Sequence, residues 1–357
     1  MDKNTANKGR MVPVLSDYLQ ITCTIISGIL SLFTPVPGIS LPVIATFTCS
    51  CQKEGQMQKM ATFNLSWETD TPKPCMQKLA VFCFNADSLG HLDSYQEIKG
   101  PVGDNIRIAS TGGPKRIILC ANTKLTTEQI SSIHTVYDLE ECFCMLEDLH
   151  QSSPLMLGEV ETKAGNGIQT IRMKPMTSEI ELRSVCCSFT GTPYEGECIQ
   201  DARLYLINVN AQCSLLESSQ DIRRLVNIGM LNEAEMKRFK DPGIIVQEIG
   251  QVISEKVINK RFRFLCFHNM SSSESPGSPF TRLVLEGRIQ GETYYWPLTI
   301  NRSNGGRGVS RNSRHVFDLK IRRKGSLNPD TEISIEACET LMEVKEWKEK
   351  EEYAVCF

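Results

Sequence analysis

The sequence predicts an all-β protein with minor helices, arranged as two tandem β-sandwich domains. Three observations carry that expectation. From Met60 onward, short runs alternate apolar and polar residues, the period of a strand with one buried face. Turn residues separate these runs. The turn-rich stretch Ala211–Gln220 leaves about seven strand candidates before it and about six after it, enough for one sandwich on each side. The expected division is 1–51 for an exported leader, 52–214 for the first sandwich and 215–357 for the second.

The leader comes first. Residues 1–20 are polar and carry Lys3, Lys8 and Arg10. The apolar stretch Ile21–Phe47 has the length of a membrane span, but Pro35, Pro37 and Pro42 interrupt it, and proline breaks the helical ladder. The uninterrupted part, Ile21–Thr34, has the size of a signal-peptide core. Small residues precede Cys51 and the polar segment QKEGQMQK follows it. A basic start, an apolar core, a cysteine at the cleavage point and a polar tether make up a bacterial lipoprotein leader. Cys51 is the expected lipid acceptor and Cys49 its competitor. Permanent anchoring by the same apolar helix is the alternative. Both deliver the rest of the chain beyond the inner membrane.

The strands follow in order. ATFNLSW sets Phe63, Leu65 and Trp67 on one face. KLAVFCF is apolar throughout, as a strand covered on both faces must be. RIILC, IQTIRM, IELRSVCCSF and ARLYLINV come next. In HVFDLKIRR, His315, Phe317, Leu319 and Ile321 face one way. Two helices interrupt the series. Thr126 and Gln129 make a capping box, and a second helix opens near Asn232 and stops before Asp241-Pro242-Gly243. No internal repeat is visible in the residues.

Composition excludes several function classes. The net charge is -3 and the longest basic run is Arg322-Arg323-Lys324, so nucleic acid is not an expected partner. The 15 cysteines include no C-x-x-C pair, which removes the zinc-ribbon and thioredoxin readings. Most lie in apolar runs and read as small buried hydrophobes. The five histidines form no H-x-x-x-H pattern. Neither a G-x-S-x-G elbow nor a phosphate-binding glycine loop is present. No catalytic residue, metal or cofactor is expected, and the chain reads as a non-enzyme.

Four C-terminal segments carry a family resemblance. RFRFLCFHNM leads to a Thr281–Val284 strand, then to Tyr294-Tyr295-Trp296-Pro297. Arg311-Asn312 then leads into Phe317. The turn Gly325-Ser326-Leu327-Asn328-Pro329-Asp330 precedes a strand with Val344 and Trp347. This order resembles the fimbrillin superfamily, the type V pilus proteins of Bacteroidetes. MQKLAVFCFNADSLGHL, GGPKRIILCANT and YEGECIQDARLYLINV extend the likeness over most of the mature chain.

The resemblance implies transthyretin-like sandwiches, export as a lipoprotein and a place at the outer membrane or cell surface, in a fimbrium. The implied partners are membrane lipid, through Cys51, and other fimbrial subunits, through β-strand addition. In stalk subunits a protease removes the first strand, here Ala61–Trp67, and a neighbour's C-terminal strand replaces it. The donor candidate in this chain is Glu352–Phe357, with Tyr353, Val355 and Phe357 on one face. Pairing of that tail within its own sheet is the competing expectation. Stalk maturation cuts after arginine, and no arginine lies between Arg10 and Arg107. The expectation is therefore an anchor or accessory subunit that keeps its lipid. A polymerising stalk subunit and a tip adhesin or carbohydrate-binding lipoprotein are the alternatives. Tyr194 and Tyr294–Trp296 are the candidate exposed aromatics for the adhesin reading.

Overall fold

The computed structural model describes residues 60–69, 75–216, 225–227, 237, 242–270, 274–275, 278–300, 308–331, 333 and 338–346. The expected leader with Cys49 and Cys51, the helix expected from Asn232, and the tail with Tyr353, Val355 and Phe357 lie outside them. No helix among the described residues is long and apolar enough to cross a membrane.

The chain is a β-sandwich protein. Its first seven long strands are β1 (Met60–Thr69), β2 (Lys78–Asn85), β3 (Leu92–Lys99), β4 (Asn105–Thr111), β5 (Pro114–Ala121), β6 (Met156–Lys163) and β7 (Ile168–Pro175). They form one sheet in the order β3-β2-β5-β6-β7-β1-β4. Between β6 and β7 only Met156↔Pro175 and Leu157↔Lys174 pair, and there the sheet folds over on itself. Gly158 permits the fold. A Cβ at that position would stand 2.7 Å from Met173 Sδ and 2.8 Å from the Arg172 carbonyl. The two layers, β3-β2-β5-β6 and β7-β1-β4, enclose a core that includes Phe63, Leu65, Trp67, Val81, Leu119 and Ile171.

Eight strands build two further sheets: β8 (Ser178–Cys187), β9 (Gln200–Ile207), the short β10 (Val246–Glu248), β11 (Phe262–Cys266), β12 (Arg282–Ile289), β13 (Glu292–Thr299), β14 (Ser313–Ile321) and β15 (Cys338–Glu346). They form two four-stranded sheets, β10-β9-β12-β13 and β11-β8-β14-β15. Leu182, Leu204, Phe264, Leu285, Trp296 and Phe317 belong to the core of this half.

The two halves share one wiring, which the residues alone do not reveal. Strand n of the first half corresponds to strand n+7 of the second. β1 pairs antiparallel with β4 and parallel with β7, and β8 pairs antiparallel with β11 and parallel with β14. The chains β3-β2-β5-β6 and β10-β9-β12-β13 match strand for strand. β15 alone has no counterpart.

Strand partners change between Pro175 and Ser178, earlier than the division expected at residue 214. β8 and β9 precede that division and pair only with strands of the second half. Gln212–Ser214 runs back to pair with Phe143–Met145.

β2 is buried on both faces, as its apolar run predicts. Val81 belongs to the core inside the first sandwich. Phe82 and Phe84 join a second cluster that continues through Ile133, Leu139 and Cys213 into the core of the second half. Helix α1 (Thr127–Ser132) carries the expected capping box between Thr126 and Gln129. A second short helix, α2 (Val136–Glu140), has its own box from Thr135 and Asp138. No disulfide joins the described cysteines, and seven of them, from Cys83 to Cys266, are buried.

Candidate assembly groove

β1 is the strand that the resemblance marks as removable, and it sits in the middle of its layer. Its residues alternate strictly. Phe63, Leu65 and Trp67 point inward and are buried, while Met60, Thr62 and Asn64 are exposed. Backbone pairing runs along both edges, from Met60↔Thr111 to Ser66↔Asn105 on β4 and from Asn64↔Ile168 to Thr69↔Met173 on β7. Trp67 is also fixed by its indole, whose Nε1 donates to the Gly103 carbonyl at 2.9 Å. Outward side chains bond to the neighbouring strands as well. Ser66 Oγ lies 2.9 Å from Thr170 Oγ1, and Arg107 Nε donates to Asn64 Oδ1 at 3.3 Å. Without β1, β4 and β7 would border a groove with pockets for two aromatic side chains and a leucine. Apolar alternation and two unpaired strand edges are what β-strand addition requires.

The equivalent strand of the second half, β8, is held differently. Its outward face carries Glu179 and Glu181, both buried. Arg314 reaches both, Nε at 2.9 Å from Glu179 and Nη2 at 2.6 Å from Glu181. Arg263 adds a contact to Glu181 at 3.0 Å and Arg261 one at 3.6 Å. Further along, Arg183 pairs with Asp318. Burial raises the Glu179 carboxyl above its ordinary value, against the pull of Arg314 and Arg263. Burial also works against ionisation of Asp318, but Arg183 and Ser184 outweigh it and hold that carboxyl low. This charge ladder escaped the sequence reading. Its signal was the Arg-Phe-Arg-Phe alternation of 261–264, which sets Arg263 on one face of β11 and Phe262 and Phe264 on the other, with Arg261 just before the strand.

The edges differ as well. β15 covers the outer edge of β14 along its whole length, from Ser313↔Glu346 to Ile321↔Cys338. On β7, among the described residues, only the last two positions have a strand partner on that side.

The aromatic candidates are not a free platform. Trp296 is fully buried, and its Nε1 donates to the Arg323 carbonyl at 3.0 Å. Tyr194 and Tyr294 are half-buried, and Lys324 Nζ occupies the space over both rings, 5.0 and 5.2 Å from their centroids. His315 is buried among core residues. Its Nε2 lies 2.9 Å from Ser313 Oγ, and burial pushes its pKa down to about 4. No group of three or more potential metal ligands occurs among the described residues. An open pocket of about 300 Å³ lies beside Tyr137, Leu89, Asp87, Glu140 and Glu161. Tyr137 and Leu89 are its exposed apolar walls.

No protein-family model matches this sequence, and no curated protein matches it. Solved structures do. A candidate cell adhesion protein from Bacteroides eggerthii DSM 20697 superposes with a TM-score of 0.65 at 15% identity, over 81% of this chain and 96% of that one. A fimbrilin, FimA, from Porphyromonas gingivalis W83 superposes at 0.58 and 12% identity, over 81% and 98%. The chain has the fimbrillin fold. The tip fimbrial protein Mfa3 from Porphyromonas gingivalis, solved with a C-terminal truncation, gives 0.52 at 11% identity, over 81% and 100%. At these identities what is shared is the β framework, which requires alternation of buried and exposed positions but not particular residues.

Proposed function

We propose that this chain is a non-enzymatic fimbrial subunit of the cell surface, an anchor or accessory component that keeps its N-terminal lipid. The observation that carries this reading is the place of β1. It begins at Met60, nine positions after the expected acceptor Cys51, and it is a central strand paired on both edges. A lipid on Cys51 is then tied to the fold through a short polar tether. No arginine lies in the chain between Arg10 and Arg107, so an arginine-directed cut would not release β1. A subunit that retains β1 keeps its own groove filled. It joins a filament by donating a strand, and the tail with Tyr353, Val355 and Phe357 is the donor. The fimbrillin-fold neighbours, fimbrial and adhesion proteins by description, support this placement.

Metabolic labelling tests it. Labelled palmitate should remain on the mature protein in the outer-membrane fraction, and Cys51→Ala should abolish the label. Transfer of the label to Cys49 in that variant would move the acceptor by two residues. A mature protein without label would refute lipid retention. The adhesin reading has one observation in its favour, the open pocket beside the exposed Tyr137. Saccharide binding that is lost in Tyr137→Ala would establish it.

A further inference from the structure

The first sandwich contains a lysine sealed from water. Lys115 opens the buried face of β5, and its side chain is 0% exposed. Three side chains meet its Nζ: Asp93 Oδ2 at 2.8 Å, Thr111 Oγ1 at 2.8 Å, and Asn85 Oδ1. Strand register brings them together. Asn85 is the direct cross-strand partner of Lys115 between β2 and β5, so both side chains stand on one face. Asp93 comes from β3 on the far side of β2. There Cys83 pairs with Ser94 and Phe84 with Leu92, which leaves Asp93 as the extra residue of a β-bulge. A bulge re-aims a side chain, and here it turns the carboxylate onto the lysine. Ser110 and the Thr111 amide also donate to Asp93. Cys83 and Ile117, the next residues on the same faces of β2 and β5, are fully buried.

A buried ion pair needs only the lysine and the aspartate. The third member is a carboxamide whose carbonyl oxygen already accepts from the amine, and its carbon is one bond further on. An amine that is wholly buried, held against a carboxamide and a carboxylate that are partly buried, supplies the components of an amide-forming reaction. We propose that Lys115 and Asn85 become joined by an intramolecular amide bond, with Asp93 carrying the protons. The bond between Lys115 Nζ and Asn85 Cγ forms, and the bond between Asn85 Cγ and Nδ2 breaks. Of the three protons on the ammonium, one passes to Asp93, one leaves with Nδ2 as ammonia, and one remains on the new amide. Charge balances, because the ammonium and the carboxylate are both neutralised, and no oxidant or reductant takes part. Proximity supplies the effective concentration, and Asp93 acts as general base and then general acid. The product carries no buried ammonium charge. Burial pushes the Asp93 carboxyl up, but the bonds from Lys115, Ser110 and Thr111 outweigh it and hold it well below the ordinary range. The ion pair is therefore the starting state, and bond formation is slow and follows folding. Once made, the bond prevents β2 and β5 from parting at that end of the sandwich.

Peptide mass spectrometry of the purified, fully denatured chain decides the matter. After trypsin, an amide-linked Lys115 resists cleavage. The expected product is a branched peptide, Leu79–Lys99 joined to Ile108–Arg116, lighter than the sum of its parts by one ammonia. Lys115→Arg and Asp93→Ala should each lose the branched species. Linear peptides with an unmodified Asn85 and a free Lys115 in the wild-type chain would overturn the bond, whatever the variants do. A branched peptide that persists in Asp93→Ala would overturn the role of Asp93.

Discussion

β1 and β8 occupy the same place in two copies of one wiring, yet different forces hold them. β8 is continuous with the chain at both ends, and arginines clamp its outward glutamates. β1 is held by three inward side chains, its backbone bonds and hydrogen bonds at Asn64, Ser66 and Trp67. The edges repeat the contrast, since β15 closes the second half beside β14 and β7 keeps a free edge over most of its length among the described residues. A strand that rests on apolar pockets and a ladder can be replaced by any segment with the same alternation. A strand locked by a specific ion network cannot. One wiring thus carries two central strands that are held in different ways.

The largest expected effect comes from removing β1. Burial of Phe63, Leu65 and Trp67 contributes about 1.5–3 kcal/mol each, so a chain that begins at Cys75 should lose amide protection throughout the first sandwich while β8 to β14 stay protected. Hydrogen exchange reads this directly, and a synthetic Met60–Thr69 peptide should restore protection. Failure of the peptide to bind would break the comparison at its strongest point.

Glu181→Gln is next. The glutamate is only 1% exposed, but Arg261 and Arg263 are about half in water and Arg314 about a quarter, so the loss is about 2 kcal/mol, below the cost of a fully buried broken pair. Exchange in β8 should accelerate toward the rates seen in β1, and urea unfolding should report the lost stability.

Acid should separate the two halves as well. His315 titrates near 6.5 when unfolded and at about 4 when folded. The unfolded state binds more protons across that window, so stability falls as pH drops from 6.5 to 4, by about 3 kcal/mol in the second half. Glu179, raised by burial, has the opposite sign and offsets part of the loss just above its ordinary value. In the first half Asp93 is held low, so its contribution persists until the pH falls below about 4. A pH series of thermal unfolding should show the second half failing first, with the difference reduced in His315→Gln. The smallest effect is expected from Ser66→Ala, whose exposed bond to Thr170 should change stability by about 0.5 kcal/mol or less.

Much of this was legible in the residues. The alternation in Ala61–Trp67 and the apolar run of β2 signal a half-buried and a fully buried strand without ambiguity. β3, LDSYQEIK, was not legible because it is an edge strand with side chains of intermediate burial. The repeat was hidden because β1 and β8 share only a pattern of faces. The change of strand partners after Pro175 was hidden because composition marks loops, whereas pairing is set by register. The Asn85, Asp93 and Lys115 cluster was invisible for a related reason, since only register and a bulge bring those residues together.

The central claim is that β1 stays, joining the lipid to the fold. The most direct test is the mass of the N-terminal peptide of the protein recovered from the cell surface. The account predicts a chain that starts at Cys51, or at Cys49, with its acyl chains attached. A chain that starts beyond Trp67 would contradict it.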